Sequence, residues 1–292
     1  MIYQLRHRTE YHYESTATLS QNVVCLEPRA TPYQTCRSFT LRVDPPPTGL
    51  ETSTDYFGNR FATFAVQRAH RRLTIEARSE VEVRPHDAPD PAFTPSWEDI
   101  QSRLRIPATA EDLAASQFRF DSAMVTANDA VRAYAAPSFG PGRPALSAAL
   151  DYMGRIKADH IYDPKATTVH SSVDEVLTGK RGVCQDFAHL LIAGMRSMGL
   201  AARYVSGYLE TLPPPGRPKL IGADASHAWV SIYIPDWGWI DLDPTNNVVP
   251  NERHITVAWG RDYRDITPVR GVVIGGGAHS LSVAVDVEPQ GE

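Results

Sequence analysis

The sequence predicts an α+β protein built from an N-terminal β-sandwich-like domain, residues 1–84, and a core, residues 96–292, in which one helix packs on an antiparallel sheet. Three observations carry this. Strand-period alternation fills the first part: Phe39, Leu41 and Val43, then Leu73, Ile75, Ala77, Val81 and Val83, with a turn signal at Gly58-Asn59. A proline-rich extended linker follows over 85–95, from Pro85 to Pro95. From Ser96 the spacing turns helical, then returns to strand alternation over 202–209, 227–234 and 239–243.

Taken in order, the N-terminal unit reads as short strands separated by turns, with Cys25 and Cys36 as packing residues inside it. The runs Tyr11-His12-Tyr13 and Asp55-Tyr56-Phe57 read as core and turn. Leu146, Leu150, Met153 and Ile156 lie at helical spacing, and Ser172 with Glu175 forms a capping-box pattern before Val176 and Leu177. A further helix runs through Phe187, Leu190, Leu191, Gly194, Met195 and Met198, with one apolar face and Gly199 at the expected C-cap. Pro213-Pro214-Pro215-Gly216-Arg217-Pro218 is a stiff loop ahead of His227. Gly275-Gly276-Gly277 lacks the lysine and strand–helix setting of a phosphate loop. It reads as a hairpin turn into the strand through Leu281, Val283, Val285 and Val287.

A chain of 292 residues with 42% hydrophobic and 22% charged residues buries a substantial core. The net charge of −5 argues against a nucleic-acid partner. No window approaches the ~20 apolar residues of a membrane helix, and Met1–Arg8 lacks a signal-peptide run, so a cytoplasmic protein with no membrane partner is expected. Three cysteines without a C-x-x-C or paired His/Cys spacing fit reduced thiols. They suggest neither a metal site nor a disulfide framework. No cofactor motif is present, and no acidic loop resembles a calcium site.

The chemistry-bearing residues begin with Cys184, just past Gly182 and in the first turn of the predicted helix. Unpaired backbone N–H groups and the helix dipole there favour thiolate, the nucleophilic form. The competing reading is a small buried hydrophobe. His227 opens the alternating strand His227-Ala228-Trp229-Val230-Ser231-Ile232-Tyr233-Ile234. Pro235-Asp236-Trp237-Gly238 turns the chain back, so the second strand brings Asp243 near His227. Asp241 shares its face and competes for the same place. Nucleophile, base and carboxylate in this arrangement perform acyl transfer through a thioester. Trp229, on the face of His227, is a candidate cleft wall. Asp186 reads as a first-turn carboxylate and His189 as a core or surface histidine.

The segments G-V-C-x-D-F-A-H, G-L-A-A-R-Y-V-S-G-Y, H-A-W and G-W-x-D-L-D-P-T resemble the bacterial transglutaminase-like superfamily over about half the chain, and the N-terminal segment resembles the β-rich domain that precedes its core. The resemblance implies a papain-like fold with Cys184 as nucleophile, His227 as base and Asp243 as third member. It further implies a peptide or protein substrate, with hydrolysis ahead of protein cross-linking, and an oxyanion donor in the region of Tyr162. Gly260-Arg261-Asp262-Tyr263 is similar to a family segment that lines the cleft. Ser231 departs from the acidic residue of many relatives, a departure expected to bear on substrate preference. A catalytically silent binding or scaffold module is the alternative reading.

Overall fold

The computed structural model describes residues 1–211 and 226–290. Five strands come first: β1 (Ile2–Val24), β2 (Gln34–Asp44), β3 (Thr48–Thr54), β4 (Arg60–Val66) and β5 (His70–Val83). Helices α1 (Trp97–Arg105), α2 (Ala110–Ser116), α3 (Asp129–Ala135) and α4 (Ala145–Asp159) follow. The two-residue strand β6 (Ile161–Tyr162), helix α5 (Val173–Gly179) and strand β7 (Arg181–Gly182) lead into α6 (Cys184–Ser197). The chain ends in β8 (Ala202–Leu209), β9 (Ser226–Ile234), β10 (Gly238–Leu242), β11 (His254–Gly260), β12 (Val269–Gly275) and β13 (His279–Gln290). Among the described residues, no helix is long and apolar enough to cross a membrane.

The N-terminal sheet is organised on the long strand β1, whose pairing with β5 shifts register between His12 and Ala17. Before that break β1 lies between β5 and β13; after it, between β4 and β12. The two halves fold face to face, so Phe64 and Val66 pack in one cluster with Leu73, Ile75 and Ala77. A sandwich cornered by bent strands results. Both β12 and β13 run antiparallel to β1, one beyond the other along the same edge. Gly275-Gly276-Gly277, all at positive φ, is therefore a kink within one edge path and not the expected hairpin turn. It also follows that residues 269–290 of the expected 96–292 core join the N-terminal sheet. Their alternating apolar residues find an unpaired edge on β1, a contact with no local sequence signature.

The core sheet has the order β10-β9-β8-β11, antiparallel throughout. Strands β8, β9 and β10 fall where the alternation placed them, and the Ser172–Glu175 capping box is formed. Helix α6 packs on β8 and β9 and is buried on every side from Gln185 to Arg196, so the one-faced helix expected from its spacing is a central one. Its polar residues survive burial because each is bonded. The Arg196 guanidinium donates to the carbonyls of Phe118, Ala202 and Arg261 and to Ser122 Oγ. Removing one of the fully buried side chains, such as Leu191, costs about 2–5 kcal/mol. At its C-terminus Gly199, at φ +75°, donates to Arg196 O while Leu200 N–H reaches Met195 O, the expected αL ending.

The sandwich grips the core sheet at its β11 edge. The Gln34 side-chain amide both accepts from Thr256 N–H (2.8 Å) and donates to Thr256 C=O (2.7 Å). Asn59, itself held by Asp55 in the predicted turn, does the same to Trp259 at 3.0 and 2.8 Å. Two side chains thus complete the hydrogen bonding of an edge strand.

Candidate active site

Cys184 is the first residue of α6 and is half-buried. The preceding Val183 N–H donates to Asp186 Oδ2 at 2.8 Å, and Thr167 Oγ donates to the same oxygen at 2.6 Å. A Cβ at Gly182 would come within 2.8 Å of that oxygen, so the glycine permits the close approach the sequence suggested. Asp186 is therefore a capping carboxylate; burial outweighs its two hydrogen bonds and pushes its pKa up. Its place is to fix the entry into α6 and with it the Cys184 thiol.

His227 is one residue into β9, opposite Gly207 of β8. Its Nε2 pairs with Asp243 Oδ2 at 2.8 Å, and the Cys184 side chain is near enough to act on the same imidazole. Burial alone would depress its pKa, but the hydrogen bond and charge of Asp243, with Cys184 nearby, prevail and push it up to about 10. The turn over 235–238 and the β9–β10 hairpin form as read, and Asp243 arrives one residue beyond β10.

Asp243 is completely buried and collects five donors. Oδ1 accepts from the backbone N–H groups of Thr245 (2.9 Å) and Asn246 (3.2 Å). Oδ2 accepts from His227, from the Asn246 side chain (2.7 Å) and from His254 Nε2 (3.2 Å). Burial opposes the charge, but these donors outweigh it and hold the carboxyl well below the usual carboxylate range. Asp241 is settled differently: its Oδ2 accepts the indole N–H of Trp229 at 3.0 Å. The ligand atoms of His227, Asp243 and His254 lie within 4.8 Å of one another, the sole such group among the described residues. That spacing was not foreseen, although no metal was expected. The arrangement present is hydrogen bonding, with Oδ2 already engaged by three donors.

Tyr162 is half exposed, and β6 pairs it with Gly182, two residues before the thiol. Partial burial, with a smaller contribution from nearby Cys184, pushes its phenol pKa up, so it keeps its proton as a hydrogen-bond donor. Tyr204, buried under the site and also raised by burial and by Cys184, was missed in sequence. So were Asn246 and His254; an alternating strand start gives no cue that His254 faces a carboxylate.

Two expectations need correction, and a third is narrowed. Trp229 is 1% exposed and walls no open cleft; it backs the site from inside, with its ring 5.3 Å from that of His254. It reaches across β8 because Gly207 has no side chain: a Cβ there would meet the indole at 2.4 Å and Ile255 O at 2.1 Å. Ser231 is fully buried, cross-strand from Arg203 and Asp241, so its departure from relatives touches sheet packing and not a substrate. His189 is a core histidine accepting from Tyr263 N–H, its pKa pushed down to about 4 by burial. Of Gly260–Tyr263, Tyr263 lines a cleft of about 660 Å³ together with Arg264, His170 and Asp174; Cys184, His227 and Asp243 are not among its lining residues. Val169 at its rim accepts from Gln185, the neighbour of Cys184. The Pro213–Pro218 loop lies outside the described residues.

An α+β core with cysteine at a helix start, histidine in a strand and aspartate beyond the hairpin defines a papain-like class of protein. Comparison with known families makes this particular. Residues 3–82 match the bacterial transglutaminase-like N-terminal region and residues 132–244 the transglutaminase-like superfamily. An uncharacterized protein of Mycobacterium tuberculosis is 43% identical over 293 residues, covering 98% of this chain and 92% of its own. A protein-glutamine gamma-glutamyltransferase of Pseudomonas aeruginosa is 34% identical over 88 residues, which is 30% of this chain and 13% of that protein. A crystal structure from Cytophaga hutchinsonii, described as that of a candidate cysteine protease, superposes with a TM-score of 0.77 at 23% identity, covering 100% of this chain and 92% of that one. The chain belongs to the transglutaminase-like superfamily, which includes cysteine-dependent acyltransferases.

Proposed function

We propose that the protein carries out cysteine-dependent acyl transfer from amide bonds of a peptide or protein, with Cys184 as nucleophile, His227 as acid and base, and Asp243 as orienting carboxylate. The observation that carries this is one imidazole whose Nε2 lies 2.8 Å from a buried, multiply bonded carboxylate and whose pKa the helix-start Cys184 helps to raise. Sγ attacks the carbonyl carbon; the C–N bond breaks as the His227 imidazolium gives its proton to the leaving nitrogen, and a thioester remains. Water or a primary amine then gives a proton to neutral His227 and attacks, and the C–S bond breaks to restore the thiol–imidazole pair. The first-turn N–H of Cys184 and the phenol of Tyr162 are the donors for the tetrahedral oxyanion.

Whether water or an amine resolves the thioester decides between hydrolase and transamidase. The printed activity of the Pseudomonas relative makes the glutamine side chain the first acyl donor to try. Mass spectrometry of a glutamine-peptide library, with and without added primary amine, separates deamidation, cross-linking and backbone cleavage by their different mass changes. The expected result is turnover lost by at least about a thousand-fold in Cys184→Ala and His227→Ala. Equal peptide binding by wild type and Cys184→Ser, with turnover by neither, would instead favour a silent binding module.

A further inference from the structure

We propose that His254 is a positioning residue of this site, a second imidazole that fixes Asp243 Oδ2 for His227; the proposal rests on the Cys184–His227–Asp243 reading. His254 opens β11, two strands away from His227 across β8. Its side chain is 5% exposed, and its Nε2 lies 3.2 Å from the oxygen that pairs with His227. The rings of the two histidines stand 6.2 Å apart, with the Asp243 carboxylate joined to both.

Packing alone does not account for this placement. The other ring nitrogen, Nδ1, is buried without a hydrogen-bond partner, so the carboxylate is the sole polar engagement of the imidazole. An apolar side chain would fill the same volume without leaving a buried nitrogen unpaired. Trp229 packs edge-on against the ring, 5.3 Å between centroids at 82°, and itself lies close against Gly207 of β8. Asp243 is held on its other side by two backbone N–H groups on Oδ1, which turns Oδ2 toward both imidazoles and the Asn246 side-chain amide, a third donor at 2.7 Å. In this geometry His254 must carry its proton on Nε2. Both nitrogen-bound protons then point at one oxygen, and His254 limits the rotation that would otherwise loosen the His227 contact.

The test uses the full chain and needs no knowledge of the substrate: the rate of Cys184 alkylation by iodoacetamide at neutral pH, with thermal melts on every variant. His254→Leu should slow alkylation about ten-fold, the size of one lost hydrogen bond to a charged group. His254→Gln, which restores an N–H near the position of Nε2, should remain within about three-fold of wild type, a rescue that loss of packing would not give. Wild-type rates in His254→Leu, or a Gln variant as slow as Leu at the same melting temperature, overturn the proposal. Rates unmoved by His227→Ala and Asp243→Asn as well would sink the underlying site reading. Rates that fall in those two variants but not in His254→Leu would sink only the role of His254. Should the Leu variant fail to fold, ¹⁵N-histidine NMR of wild type decides: a protonated Nε2 on His254 is expected, and a neutral ring protonated on Nδ1 alone cannot donate to Asp243.

Discussion

Two buried polar networks, both at the core sheet, differ in what they are made of. At the β11 edge, the amides of Gln34 and Asn59 each exchange two hydrogen bonds with one residue of backbone, joining segments about 200 positions apart. At the hairpin end, five donors converge on one carboxylate, and two of them are imidazoles. In the first network the groups that meet β11 are neutral amides and each has a fixed donor or acceptor role, so it can only hold. The second contains titratable groups, a carboxylate and two imidazoles, and it lies beside the half-buried thiol of the proposed nucleophile. Satisfied amides serve architecture; a carboxylate shared by imidazoles is what the proposed chemistry requires.

The contrast predicts opposite losses. Asp243→Asn should reduce turnover of a responsive glutamine peptide roughly a thousand-fold or more, because an amide N–H facing His227 forces the proton onto the nitrogen that must receive it from Cys184. Most of the fold should survive, as the Asn246 and Thr245 contacts can persist. Gln34→Ala should do the reverse. It leaves the Thr256 N–H and C=O unpaired in a buried edge, at about 1–3 kcal/mol for each group, with turnover per folded molecule unchanged. Urea unfolding alongside steady-state kinetics checks both. Equal kinetic damage from the two variants would erase the distinction.

The hairpin half of this contrast was legible in the sequence and the clasp was not. Cys184 at a helix start, His227 on an alternating strand and Asp243 after a Pro–Gly turn are local patterns, and local patterns survive into the structure because short-range geometry fixes them. Asp243 and Asp241 could not be told apart by alternation; the indole of Trp229 and the amides of the 243–246 turn separate them. Gln34, Asn59, His254 and the return of 269–290 to β1 depend on pairings between distant segments, for which one sequence carries no period. The encirclement of α6 was hidden for a related reason: Gln185, Asp186, His189 and Arg196 look like a solvent face until their buried partners are known.

Titration should also separate the networks. His227, raised from 6.5 to about 10, contributes stability that is full below its unfolded value near 6.5 and is lost as pH rises through about 10. Asp243, depressed from 3.8, contributes stability that is present above 3.8 and lost as pH falls toward its lower folded value. The stability gap between wild type and Asp243→Asn should therefore be widest between about pH 4 and 6.5 and should shrink toward pH 10. The gap between wild type and Gln34→Ala should be flat over the same range, since neither the amide nor the backbone titrates. Urea midpoints measured across pH 4–10 read both curves; a flat gap for Asp243→Asn would mean that no charge pair stands at the site.

The smallest effect expected lies closest to the largest in sequence. Asp241 is two residues from Asp243 on the same strand path, yet it holds the indole of Trp229 and no imidazole. Asparagine at 241 keeps an oxygen to accept that N–H, so Asp241→Asn should leave turnover within about three-fold of wild type, the scale of one neutral hydrogen bond adjusted in place. The lost negative charge is felt instead by Arg203, a buried guanidinium stacked 4.1 Å from Trp239 and 3.6 Å from Trp259. Burial already lowers the pKa of Arg203 to about 9 and Asp241 partly offsets this, so the variant should lose stability at neutral pH while keeping its chemistry. Turnover falling as far as in Asp243→Asn would show that the two carboxylates share one function. Their separation by hydrogen-bond partner would then not describe how the site works.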